Sequence, residues 1–184
     1  MSNRLFVAVV PPISVRDSWE AFLEPRRSSA PDLRWTDPVG WHVTCAFMAS
    51  VPEGRLASVE DALAEVAERT SAFAVTVEGA GAFPDPDHAR AFWLGVTEGA
   101  DALGRLARRT RNAAARSGIE VDGARFRPHL TIARANGISG TGWLEVFGAI
   151  PAQTWTVDRF ALVRSQLLPG GAGYQTLAEF VLPG

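Results

Sequence analysis

The chain has 184 residues, 47% apolar and 21% charged, with a net charge of −2 and a pI of about 5.9. That is the make-up of a globular domain with a sizeable core, and it excludes a uniformly basic nucleic-acid coat, so a phosphate ligand must be met by a local cluster of cations. All 18 basic residues are Arg, which excludes Schiff-base and lysyl-nucleotide chemistry, and the single Cys45 excludes an intramolecular disulfide and a Cys-based zinc cluster while fitting a reducing cytoplasm.

Leu5–Val10 is a short apolar run, too short for a membrane span or a signal h-region, and reads as a buried first strand ending at Pro11-Pro12. Ser14 is placed to cap a helix running to about Leu23, with Asp17 as capping-box partner. A loop containing Pro25 and Pro31 follows. Arg34-Trp35 then reads as a short extended piece stopped by Asp37-Pro38, and Trp41–Phe47 as a strand. Pro52 to Arg69 carries Leu56, Val59, Leu63 and Val66 at helical spacing.

Phe73–Glu78 alternates as a half-buried strand, Gly79–Asp87 is turn-rich, and Ala91–Val96 is another strand. Asp101–Ser117 is a helix ended by Gly118, with Arg105, Arg108, Arg109, Arg111 and Arg116 away from its apolar side. These read as a solvated helix face. Pro128–Ala133 is a strand, Gly137–Gly142 a loop, and Trp143–Phe147 one or two helical turns. Thr154–Arg164 alternates with one phase slip near Asp158–Arg159, Leu168–Gly173 is a turn, and Tyr174–Leu182 is the last strand. The mixture predicts α+β architecture in one domain over 1–184.

One motif recurs. Two of the three histidines are followed by an apolar residue and then Thr: His42-Val43-Thr44 and His129-Leu130-Thr131, about half a chain apart. On a strand, residues i and i+2 share a face, so each His points with its Thr, while Val43, Cys45, Leu130 and Ile132 face the core. Two strands meeting across a cleft would present two imidazoles and two hydroxyls. Imidazole titrates near neutrality, so one ring can accept a proton from water while the other donates to a departing sugar oxygen. The hydroxyls can donate to non-bridging phosphate oxygens. No metal is required, and two His with no third ligand in pattern are weak grounds for zinc. The third histidine, His88, sits in the turn-rich PDPDHARAF and reads as a solvated loop residue.

Arg127 falls on the side of His129 by alternation, whereas Arg134 falls on the opposite phase and needs a bend to reach a cleft. Arg34, Trp35, Phe6, Phe126 and Tyr174 are candidates to line the groove and stack on a base, with Trp35 and Tyr174 foremost because amphipathic rings near turns stay partly open.

RLFVAVVPP, DLRWTDPVGWHVTCAFMASV, GAGAFPDPDHARAFWLGV, RFRPHLTIAR and the tail FALVRSQLLPGGAGYQTLAEFVL together resemble the two-histidine (2H) phosphoesterase superfamily over nearly the whole chain. Within it they resemble the bacterial and archaeal RNA 2′,3′-cyclic phosphodiesterases, also called 2′-5′ RNA ligases. The resemblance implies a bilobal fold of two antiparallel sheets flanked by helices, with a central groove carrying one His-x-Thr motif per lobe. It implies His42 as proton donor, His129 as proton acceptor, Thr44 and Thr131 on phosphate, and a 2′-phosphate product. Cys45-Ala46 departs from the family's longer aliphatic run and its basic residue before Phe. The expected partners are RNA ends or nucleotides bearing 2′,3′-cyclic phosphate, in the cytoplasm, with no cofactor, membrane or obligate protein partner. Alternatives are ATP-independent 2′-5′ ligation, hydrolysis of a small cyclic nucleotide, and a binding module without turnover.

Overall fold

The computed structural model describes residues 2–168 and 171–184. Its strands are β1 (Ser2–Val9), β2 (Arg34–Trp35), β3 (Val43–Pro52), β4 (Phe73–Phe83), β5 (Ala89–Val96), β6 (His129–Ile138), β7 (Gln153–Val157), β8 (Arg159–Leu168) and β9 (Gly171–Val181). Its helices are α1 (Ile13–Arg27), α2 (Leu56–Glu68), α3 (Ala100–Arg116) and α4 (Thr141–Gly148). None is long and apolar enough to cross a membrane.

The architecture is α+β, with two antiparallel half-sheets, β7-β4-β5-β6 and β3-β1-β8-β9. They are not separate sheets facing across a cleft. They join at a seam where β3 meets β6 through one pair, Val43 opposite Leu130. β3 then departs, and β2 takes its place on β6 at Ala133 and Arg134. Helices α2 and α3 pack behind the second half-sheet, against β9 and β3, and α4 packs behind β4. Trp19 of α1 is fully buried edge-on to Trp41 and Trp155. One continuous core runs through Leu5, Val7, Val9, Trp41, Val43, Leu94, Leu106, Leu130 and Phe147. A separate small cluster, Phe6, Ala8, Ala161 and Val163, lies on the other face of the second half-sheet.

Several boundaries differ from the sequence expectation. The first helix begins at Ile13 with no side-chain cap. Pro12, at φ −56, pre-sets its first turn and accepts from the N–H groups of Val15 and Arg16, so Ser14 is inside the helix rather than capping it. That helix also runs through Pro25 to Arg27. β4 continues past Glu78 because Gly79, at φ +75, supports a bulge between Val77 and Ala80, after which pairing with β5 resumes. β6 likewise continues through Gly137 to Ile138. The phase slip at Asp158 is a true break between β7 and β8. The centre of the turn expected over Leu168–Gly173, residues 169 and 170, lies outside the described residues.

Candidate active site

The seam brings the two motifs together. One step to either side of the Val43–Leu130 pair, antiparallel register sets His42 beside Thr131 and Thr44 beside His129. Val43 and Leu130 are fully buried beneath, while the four motif side chains stay half-buried on the face away from the helices. The motifs are neighbours within a sheet, closer than two walls of a cleft would be. Two hollows lie away from the motifs, one of about 260 Å³ beside Val9 and Trp155 and one of about 230 Å³ beside Arg69 and Arg109.

Each imidazole is held in the same way. His42 Nδ1 lies 2.6 Å from the Gly40 carbonyl, and His129 Nδ1 lies 2.6 Å from the Arg127 carbonyl. A carbonyl only accepts, so both rings carry a proton on Nδ1 and keep Nε2 for a ligand. Each ring also has an aromatic bed. Phe6 stacks on His42 at 4.6 Å and Tyr174 meets it edge-on at 5.4 Å. Phe83 and Trp93 meet His129 at 4.9 and 6.1 Å. Burial pushes both imidazoles below their usual 6.5. The backbone carbonyls work against that, and nearby positive charge adds to it: His129 and Arg134 act on His42, and Arg127 and Arg134 act on His129.

Arg134 reaches this face because β6 is bulged. Thr131 pairs with Trp93 and Ala133 with Phe92, so Ile132 is the extra residue. Ile132 and Ala133 are consecutive and both buried, and the strand re-emerges with Arg134 on the side of Thr131. β3 repeats the device. Thr44 pairs with Ala8 and Ala46 with Val7, leaving Cys45 extra and turning Phe47 to the side of Thr44. A bulge strands backbone groups, and here side chains supply partners, beside the Thr36 N–H that also donates to the Ile132 carbonyl at 3.0 Å. Arg111 Nε donates to the Cys45 carbonyl at 3.1 Å, so this arginine of α3 is structural rather than part of a solvated face. Thr36 shares its hydroxyl proton between the Thr131 and Ile132 carbonyls, at 3.0 and 2.8 Å. The same hydroxyl accepts from Trp41 Nε1 at 2.8 Å, and so ties the residue before His42 to the bulge after Thr131.

Thr36→Val is therefore expected to destabilise the fold by about 1–3 kcal/mol, since it leaves the indole N–H and one carbonyl unpartnered. Thr36→Ser should restore most of the loss. Urea unfolding of the three proteins checks this, and equal midpoints would show that the bridge contributes nothing.

Other predicted residues divide. Arg127 stands at the site, its guanidinium over Phe83 and Trp93 at 5.4 and 5.1 Å. Tyr174 is 46% exposed at the rim beside His42. Trp35 is not on this face. It packs edge-on against Trp143 and Phe147 behind β6, because alternation turns its neighbour Arg34 toward the site. Phe126 packs against the core beneath Arg111. His88 is exposed and held in its turn by Asp85. Among the described residues no three His, Cys, Asp or Glu side chains cluster as metal ligands. Sequence reasoning missed Trp93, whose ring fills the space over Gly81 so closely that a Cβ there would lie 2.1 Å from it, and it also missed Thr36.

The 2′-5′ RNA ligase superfamily model matches residues 14–167. The chain belongs to that superfamily. An RNA 2′,3′-cyclic phosphodiesterase of Archaeoglobus fulgidus is 33% identical, over 96% of this chain and 99% of that protein. One of Geobacillus stearothermophilus is 32% identical over 99% of this chain, which spans 58% of that relative's length. Among solved structures, E. coli LigT complexed with 3′-AMP superposes with a TM-score of 0.78 at 26% identity, covering 99% of both chains.

Proposed function

We propose that this superfamily member is an RNA 2′,3′-cyclic phosphodiesterase, a hydrolase that opens cyclic phosphate ends to 2′-phosphomonoesters by two-histidine acid–base catalysis. The observation that carries this reading is the square of His42, Thr131, Thr44 and His129 on one face, with both Nδ1 atoms tied to carbonyls and both Nε2 atoms left for substrate. The names of the relatives and the 3′-AMP bound to LigT support the ligand class. Neutral His129 takes a proton from the attacking water as its oxygen bonds to phosphorus. The P–O3′ bond breaks, and protonated His42 gives its proton to the 3′ oxygen. Thr44 and Thr131 donate to the non-bridging oxygens, Arg134 faces their charge, and Arg127 and Tyr174 border the nucleotide. The scheme routes no step through a metal.

The test is hydrolysis of a 2′,3′-cyclic mononucleotide and of a short RNA ending in cyclic phosphate, with EDTA present. A 2′-phosphate product supports the reading. No turnover of either by folded protein overturns it in favour of a binding module, and dependence on an added divalent cation overturns the mechanism. Adding an RNA with a 5′-hydroxyl tests 2′-5′ joining, in which that hydroxyl replaces water.

The pH dependence follows from the direction of both shifts. The reaction needs one neutral and one protonated imidazole, and in the free enzyme both titrate below 6.5. The bell in kcat/KM should therefore peak below pH 6.5 and fall through neutrality. A bound phosphate anion favours imidazolium, so the kcat profile should extend to higher pH. A kcat/KM maximum above pH 7 would contradict this assignment.

A further inference from the structure

Arg34 and Arg134 stand directly opposite each other in the β2–β6 ladder. Side chains so placed share a face, and like charges there are destabilising. Both residues are exposed, and among the described residues no carboxylate lies within ion-pairing distance of either. Arg34 is nevertheless held in place. Its guanidinium donates to Asn136 Oδ1 at 3.1 Å, and Asn136, two residues beyond Arg134, shares the same face. That face carries the histidines, since the bulge at Ile132 returns Arg134 to the side of Thr131. Two arginines side by side in one ladder, one of them held by Asn136 and neither with a counter-ion among the described residues, fit an anion with two charged groups in series.

We infer that Arg34, steered by Asn136, binds the phosphodiester on the 5′ side of the terminal nucleotide, so that the enzyme reads an RNA end in preference to a lone cyclic nucleotide. The inference rests on the proposed hydrolase reading. Arg134 is the inner of the two cations, on the strand that carries His129 and Thr131, and meets the cyclic phosphate. Arg34 lies across the ladder from it, about 4.8 Å away, on β2 in the row that β3 leaves, where the next phosphate of the chain would pass. The protein as a whole is acidic, with a net charge of −2, so retention of an RNA strand depends on such a local pair.

The experiment compares kcat/KM for a dinucleotide ending in 2′,3′-cyclic phosphate with that for the matching cyclic mononucleotide, in wild type and Arg34→Gln. A third substrate carries an uncharged methylphosphonate in place of the internucleotide phosphate. Wild type should favour the dinucleotide, and Arg34→Gln should lower the dinucleotide-to-mononucleotide ratio about tenfold, the scale of one lost charge-assisted contact. The methylphosphonate should cost wild type a similar factor and cost the variant little further. Asn136→Ala should lower the ratio less, as a positioning change. Turnover of both substrates with an unchanged ratio in Arg34→Gln overturns the inference and leaves the hydrolase reading intact. Turnover of neither by folded wild type overturns both.

Discussion

Replacing His129 by Ala should lower kcat for cyclic-phosphate hydrolysis by about 10²–10⁴-fold, and His42→Ala should do the same, the usual range for losing one positioned proton-transfer group. Among the described residues, the neighbours of the two rings offer no ready substitute for either. Arg127 and Arg134 carry guanidinium groups, which donate hydrogen bonds and accept none. Cys45 is buried on the core side, with its thiol pushed up to about 12 by burial. The double variant should be little worse than either single one, because in the proposed mechanism both rings serve one exchange of protons and such losses do not add. Urea unfolding must accompany the kinetics, since each ring also packs on aromatic neighbours. A folded His129→Ala protein with undiminished turnover would remove that residue from the mechanism.

The pair of motifs was legible because His-x-Thr on a strand has only one reading of its faces, and because Val43 and Leu130 mark which side is core. Their adjacency was not legible, because strand order depends on contacts between segments far apart in sequence. The facing of Arg134 is hidden under an assumption of strict alternation. Its trace is nonetheless present in HVTCAF and HLTIAR, where two small or apolar residues in a row, Cys45-Ala46 and Ile132-Ala133, occupy places that alternation gives to one. Consecutive core residues inside a strand are the sign of a bulge. The facing of Arg34 and Trp35 is not legible for a related reason. A two-residue strand has no periodicity of its own, and its facing is settled by pairing with Ala133 and Arg134.

Arg134→Gln should reduce kcat/KM by about 10²-fold, the scale of removing one donor aimed at developing phosphate charge. It should also move the pH profile. Arg134 disfavours the imidazolium form of both His42 and His129, so deleting its charge raises both pKa values and shifts the whole bell toward higher pH. Arg127 acts on His129 but not on His42, although its backbone carbonyl holds the His129 ring and is untouched by substitution. Arg127→Gln should therefore raise the His129 titration alone. Imidazole proton resonances followed against pH in the free protein separate the cases without assigning kinetic limbs to residues: two midpoints rise in Arg134→Gln, one in Arg127→Gln. A rate loss in Arg134→Gln with both midpoints unmoved would place its guanidinium too far from the rings to share a phosphate with them. The bulge would then turn the strand without delivering the charge.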